Sequence, residues 1–255
     1  MILTDKLAYS SQIRDKNPYL KTAFAVGSLI LCVVSRKIVF SLLILIIMGY
    51  STLTKSRISP IGYLKFMSIP GVFLILSSIS IVFDFSKIPL EMGNLPIGSW
   101  YIGTSMADII YGVQLMMTAM SSVSCLYFLS MTTPMQDLIM VLRRCKIPWL
   151  IIELAVLMYR FIFIIGDMTS ATILAQNCRL GNGTMKEKIR NMGTMLASVF
   201  VRSYHKANRM FEAMEARNYN GQVRVLWEYD KATAKEKILL VMYFIGAIVV
   251  AVWLG

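Results

Sequence analysis

The sequence has few charged residues and little cysteine or histidine for its length. Of its 255 residues, 16% are charged and 56% are apolar, whereas a soluble domain carries about a quarter charged residues. The four cysteines are scattered without a CxxC pair, and the single histidine is His205. These absences argue against a soluble enzyme, a disulfide framework and a zinc site.

A phosphate-binding G-x-x-x-x-G-K-[ST] loop is also absent, so we expect no ATP site of the P-loop kind. His205 falls on a basic amphipathic segment, where an exposed or interface position is the simpler interpretation. The 19 methionines are interpreted as adaptable packing residues. We therefore predict no catalytic residue, no metal ligand and no cofactor in this chain.

What the sequence does contain is a series of apolar runs, several near the roughly 20 residues that a helix needs to cross about 30 Å of hydrocarbon. The first two are slightly short, so they are either two tight spans or a re-entrant hairpin. We expect Pro70 to bend the third. The runs are Leu20–Ser35, Ile38–Leu53, Phe66–Phe83, Met106–Met131 and Lys237–Leu254.

The net charge of +12 is unevenly placed, with 15 of the 26 Lys and Arg residues between positions 135 and 236. Cations accumulate on the cytoplasmic side of membrane proteins, so we place this region, the N-terminus and the basic linker Thr54–Lys65 in the cytoplasm. Residues 84–105 are predicted to be a turn-rich loop on the opposite side. Since the cations lie between or after apolar segments, we predict no nucleic-acid binding.

These patterns predict an all-α, multi-pass protein of the cell membrane with about five transmembrane helices plus long cytoplasmic helices. Residues 1–134 form an N-terminal arm and four transmembrane segments, 135–236 the cytoplasmic helices, and 237–255 the final transmembrane helix. Pro148–Ile165 is apolar enough to span, but Glu153 and Arg160 within it and Asp167 just after it lie on nearly one helical face. Charges in a lipid-exposed helix are costly, so five spans are favoured and six remain the alternative.

A second long helix is predicted from Lys186 to Asn218, roughly 50 Å in length at 1.5 Å per residue. Its apolar residues follow helical spacing, while Lys206 and Arg209 lie off the stripe. Such a helix either rests on the membrane surface or docks a partner protein. The apolar stripe contains Met185, Ile189, Met192, Leu196, Phe200, Tyr204, Ala207, Phe211 and Met214.

Two short stretches each place an arginine near the end of a long helix, with a glycine close behind as a candidate C-cap. They are Ala175–Gly181 and Glu212–Gly221, and the second contains Ala216-Arg217-Asn218. Complementarity with the helix dipole would by itself explain an arginine in this position.

As an ordered pair among membrane segments, these stretches resemble the transmembrane T component of energy-coupling-factor (ECF) transporters, a branch of the ABC importers. The resemblance covers almost the whole chain and includes Asn17-Pro18-Tyr19-Leu20-Lys21, similar to the family's DPR-x-K stretch. Pro148 and Tyr159-Arg160 also match. Within the resemblance, the run Asp5–Ser11 favours the cobalt-type CbiQ branch over the shared vitamin-transport module.

The resemblance implies that two crossed cytoplasmic coupling helices each end in an x-Arg-x motif that enters a groove of an ATPase subunit. By this match the contact residues are Cys178, Arg179 and Leu180 in the first motif, and Ala216, Arg217 and Asn218 in the second. The family usually has alanine where Cys178 stands and glycine where Asn218 stands. Asn tolerates the left-handed backbone, so helix termination is expected to survive.

The implied protein is a non-catalytic coupling subunit of an importer, embedded in the lipid bilayer. Its partners would be two ABC ATPase subunits and a substrate-binding membrane subunit, an S component or a CbiM-like protein. Cobalt uptake is favoured, with vitamin or nickel uptake as the alternative. A membrane-embedded enzyme using Asp108, Glu153 and Asp167 is the remaining hypothesis.

Overall fold

The computed structural model of the protein describes residues 3–56, 58–82, 84–86, 92–97, 100–178, 184–219 and 233–253. The chain divides into two compact units, Met1–Val141 with Tyr229–Gly255, and Leu142–Glu228. The described residues are mostly helical and include a small sheet. The helices are α1 Leu3–Ser10, α2 Pro18–Ser35, α3 Ile38–Lys55, α4 Pro60–Val82, α5 Met106–Thr132, α6 Met135–Arg144, α7 Trp149–Cys178, α8 Met185–Glu215 and α9 Ala234–Trp253.

Among the described residues, six helices are long and apolar enough to cross a membrane: α2, α3, α4, α5, α7 and α9. The predicted apolar runs therefore all form helices, and the first two are separate helices. The predicted linker 54–65 is wrong in extent, because α4 already begins at Pro60. By length and composition α7 also qualifies as a membrane span. The six-span alternative therefore stays open beside the favoured five.

The segment between α4 and α5 was predicted as a loop, but its described residues include a three-stranded antiparallel sheet. The strands are β1 Asp84–Ser86, β2 Met92–Ile97 and β3 Trp100–Thr104, with β3 in the centre. Pro96 lies on β2, an edge strand, where a residue without an N–H is tolerated. The described residues of this segment therefore include paired strands where a loop is predicted.

The start of α2 is tied to the rest of the first unit through a buried lysine. The Asn17 side chain caps α2 by accepting from the Tyr19 N–H at 3.0 Å, and Pro18 occupies the first turn. Lys21, only 6% exposed, donates to the carbonyls of Ile13, Arg14 and Thr132 at 3.1, 3.2 and 3.4 Å. One ammonium therefore joins the N-terminal arm, α2 and the end of α5.

Small and hydroxyl side chains hold the membrane helices of this unit together. The Tyr63 hydroxyl of α4 lies 2.8 Å from Ser124 Oγ of α5. Ser28 Oγ of α2 lies 2.9 Å from the Tyr243 hydroxyl of α9, and Gly27 lets the Phe244 ring approach the α2 backbone. Small residues and interhelical hydrogen bonds are the usual means of packing helices that lipid surrounds.

Pro70 lies inside α4 and removes the N–H that would have bonded to the Phe66 carbonyl one turn earlier. The Tyr127 hydroxyl of α5 donates to that same carbonyl oxygen at 3.1 Å. A side chain of a neighbouring helix thus replaces the lost backbone donor, as membrane helices containing proline require.

We expect Tyr127→Phe to lower the free energy of unfolding by about 1–2 kcal/mol, because it leaves the Phe66 carbonyl without a donor. Thermal or denaturant unfolding in detergent measures the change. The matched control is Tyr50→Phe, which removes a hydroxyl from a side chain that is 69% exposed.

In a Pro70→Ala background the residue 70 N–H is restored, so Tyr127→Phe should then cost little. An equal loss of stability in both backgrounds would contradict the assigned role of Tyr127.

Candidate functional site

The second unit is built on two long antiparallel helices, α7 and α8. Near the α7 C-terminus, Gln176 Nε2 donates to the Asn191 carbonyl in the first turns of α8 at 3.1 Å. At the other end, Tyr219, which follows α8, donates its hydroxyl to Glu153 near the start of α7. Contacts at both ends make the two helices one hairpin.

The start of α8 is set by a capping box. The Thr184 N–H donates to Glu187 Oε2 at 2.8 Å, and the Glu187 N–H donates to Thr184 Oγ1 at 3.4 Å. These bonds satisfy N–H groups that a helix start leaves unpaired. The hydrogen bond from the Thr184 backbone also holds the pKa of Glu187 below its usual value.

The end of α8 is a Schellman motif with Asn218 in the left-handed conformation, at φ 60°. The Tyr219 N–H donates to the Met214 carbonyl at 3.1 Å, and the Asn218 N–H to the Glu215 carbonyl at 3.0 Å. This is the pair of bonds that defines the motif. Helix termination therefore survives the substitution at position 218, as predicted, and Asn218 takes the role that was expected of a glycine.

The turn after α8 is tied to α7 through one tyrosine. Glu153 is 5% exposed, and its carboxylate accepts the Tyr219 hydroxyl. The same bond raises the pKa of Tyr219. A buried carboxylate without such a donor would be costly, so the bond stabilises both the carboxylate and the turn. The sequence marks Glu153 as a charge in an apolar helix, but no pattern in it identifies Tyr219 as the partner.

Of the predicted contact residues, those that the structure describes lie near opposite ends of α8. Cys178 is exposed and ends α7, beside the start of α8; Arg179 and Leu180 lie outside the described residues. Ala216, Arg217 and Asn218 are exposed and follow the last turn of α8. The 31 residues of α8 separate the two ends by about 46 Å.

Arg217 extends from this turn with its charge available to a partner. Its side chain is exposed, and among the described residues no carboxylate forms an ion pair with it. Its backbone is held by the bond from its N–H to the Met214 carbonyl at 3.0 Å. The arrangement presents a guanidinium on a fixed backbone, which suits directed hydrogen bonds to a partner.

The apolar stripe of α8 is exposed over most of its length. Phe200 is 73% exposed, Tyr204 61% and Ile189 65%, and none of the described residues covers them. Exposed apolar surface of this extent marks a protein or membrane contact. Both interpretations of this helix, membrane surface and partner docking, depend on this face.

The three carboxylates of the enzyme hypothesis are not gathered into a site. Asp108 forms the capping box of α5 with Ser105, and Glu153 and Asp167 lie 14 positions apart on α7, about 21 Å along the helix. In the part of the chain that the structure describes, no three His, Cys, Asp or Glu side chains group as a metal site would require.

Comparison with known proteins gives the family. The model of a family described as "Cobalt transport protein" (CbiQ) matches residues 10–227. An uncharacterized protein of Methanocaldococcus jannaschii is 28% identical over 249 residues, which cover 98% of this chain and 92% of that protein.

Two further relatives carry functional names. The cobalt transport protein CbiQ of Salmonella typhimurium is 28% identical over 218 residues, 85% of this chain and 96% of that protein. A fused cobalt transport protein CbiMQ of Methanocorpusculum labreanum is 26% identical over 219 residues, 86% of this chain but 37% of the fusion. With most of its length matched by the family model and its apolar helices in place, this chain belongs to the CbiQ family of multi-pass membrane transport proteins.

Proposed function

We propose that this chain is the coupling subunit of an ECF-type ABC importer for cobalt. It transmits ATP hydrolysis by two partner ATPases to a membrane subunit that binds the substrate. The observation that carries the proposal is Arg217, exposed and unpaired among the described residues, on the hydrogen-bonded turn that ends α8. Membership of the CbiQ family supports the same conclusion.

The proposed contacts are the motifs Cys178-Arg179-Leu180 and Ala216-Arg217-Asn218. Each motif binds in a groove of one ATPase subunit in the cytoplasm. A separation of about 46 Å along α8 suits two contacts on two different subunits. A continuous helix moves as a rigid element, so closure of the ATPases against its two ends would rotate or shift α8 as a body. The exposed stripe of α8 then passes that movement to membrane-embedded partners.

The cobalt ion is cargo in this proposal, and a separate subunit holds it. The name of the CbiMQ relative describes a fusion in which this chain matches 37% of the length, which supports a CbiM-like neighbour. The described residues of this chain supply no grouped metal ligands. Vitamin or nickel uptake through a different substrate-binding subunit is the alternative, since the same coupling contacts would serve it.

We expect Arg179→Ala combined with Arg217→Ala to reduce ATPase co-purification at least tenfold and to abolish cobalt uptake. Each change removes a guanidinium group, which can donate two parallel hydrogen bonds, from the proposed contact with an ATPase groove. Pull-down from membranes and uptake of radioactive cobalt measure the two effects, and the amount of chain in the membrane should not change.

The matched control is Arg202→Ala combined with Arg209→Ala, which removes two exposed arginines from the middle of α8. This control should retain the ATPases. Normal ATPase co-purification by the 179/217 variant would refute the proposed contacts.

Asn218→Val should weaken ATPase binding, whereas Asn218→Gly should preserve it. A β-branched residue is strained at φ 60° by about 1–2 kcal/mol, so the turn would open and Arg217 would lose its fixed backbone. Glycine adopts this conformation freely. Co-purification of both variants at equal expression measures the effect, and equal retention by Val and Gly would show that the turn is unimportant for docking.

Tyr219→Phe should lower ATPase co-purification severalfold although residue 217 is still arginine. The substitution removes the hydroxyl that bonds the turn to Glu153. Glu153→Gln is the matched control, since the amide oxygen still accepts the tyrosine hydroxyl. If the Tyr219→Phe variant retained the ATPases fully, the bond between Tyr219 and Glu153 would stabilise the fold without contributing to ATPase binding.

A further inference from the structure

The turn between α2 and α3 lies at the end of the first unit opposite to Lys21. Gln114 Nε2, early in α5, donates to the Arg36 carbonyl, whereas Lys21 bonds to Thr132 at the far end of α5. Helices α2 and α3 each have 18 residues and are about 27 Å long, slightly less than a hydrocarbon core of about 30 Å. When both helices span, Arg36 and Lys37 therefore lie at the boundary between hydrocarbon and headgroups.

A cavity of about 300 Å³ opens at this turn, lined by Ser35, Arg36, Lys37, Ile38, Val39 and Gln114. Arg36 and Lys37 are exposed, and no carboxylate of the described residues forms an ion pair with either of them. The cavity therefore combines two cations, without a described counter-charge, at the depth of the lipid headgroups.

Two further groups of this cavity also lack hydrogen-bond partners. Lys37 is the N-cap of α3 and makes no capping hydrogen bond with its side chain, so the first N–H groups of α3 lack intrahelical acceptors. Ser35 Oγ is buried and has no hydrogen-bond partner. Two cations, a helix N-terminus and an unpartnered hydroxyl together favour an anion with several acceptor oxygens.

An apolar groove continues from the same cavity. It has a volume of about 240 Å³, shares Arg36 and Gln114 with the first cavity, and runs between α2 and α5 along Val33, Leu115 and Ala119. Val33 lies about one turn from Arg36 toward the middle of α2, and Ala119 lies five positions beyond Gln114 along α5. The groove therefore leads from the basic turn toward the bilayer interior.

We propose that this turn binds the phosphate group of an anionic phospholipid, with part of an acyl chain in the groove between α2 and α5. A phosphate supplies acceptor oxygens for the Arg36 guanidinium and the α3 N-terminus. Free inorganic phosphate has the same headgroup chemistry but nothing to fill the apolar groove, so the paired cavities favour the lipid.

The test uses the full chain purified in detergent, with phosphatidylglycerol, phosphatidylcholine and inorganic phosphate as probes. Native mass spectrometry should show one retained phosphatidylglycerol, bound at least tenfold more tightly than phosphatidylcholine. Arg36→Gln with Lys37→Gln should weaken phosphatidylglycerol binding at least tenfold. Lys55→Gln with Lys65→Gln makes the same change in charge at two exposed lysines elsewhere in the unit and should bind like the unaltered chain.

A second variant, Ala119→Phe, keeps both cations and narrows the groove. It should weaken phosphatidylglycerol binding without changing the affinity for inorganic phosphate, which supports the lipid. If Ala119→Phe binds phosphatidylglycerol normally while inorganic phosphate displaces the lipid, the lipid proposal is overturned in favour of a free anion. Equal lipid binding by the 36/37 and 55/65 variants overturns the site altogether. Neither readout depends on the ATPase partners.

Discussion

The hydrogen bonds that end α8 are the constraint on which the proposed coupling depends. A helix leaves its last carbonyl groups unpaired, and here the N–H groups of Asn218 and Tyr219 satisfy two of them at 3.0 and 3.1 Å. The left-handed backbone at Asn218 turns the chain sharply, and the Tyr219 bond to Glu153 fixes the turn on α7. The direction in which Arg217 extends follows from these bonds.

The same demand, that a polar group away from water must find a partner, organises the first unit. Lys21 is satisfied by three carbonyls, and the carbonyl released by Pro70 is satisfied by Tyr127. At the α2–α3 turn, Arg36 and Lys37 have no ion-pair partner among the described residues, and Ser35 Oγ has no hydrogen-bond partner. These unpaired groups, together with the two adjoining cavities, are the basis of the proposed lipid site.

Helix α7 shows how an apolar helix accommodates charge. Its length and composition suit a membrane span, yet Glu153 is buried and bonded to Tyr219, while Arg160 and Asp167 are exposed and form no ion pair with a described residue. The charged residues that disfavoured a span in the sequence are therefore in different environments. A buried carboxylate that accepts a hydrogen bond costs much less free energy than one without a donor, so the contact with the turn after α8 accommodates Glu153 within an apolar helix.

Apolar runs and helical spacing in the sequence determined the membrane class and the long helices, because each of these patterns is local. The amphipathic helix was predicted from 186 to 218, and α8 with its closing turn covers 185–218. The small sheet at 84–104 was missed, because glycine and proline signal turns without showing whether the segments between them pair. Only the tertiary structure decided the bonds between Tyr219 and Glu153, 66 positions apart, and between Tyr127 and Phe66, 61 apart. Such partners are selected by the packing of helices, and no periodicity within a single helix encodes them.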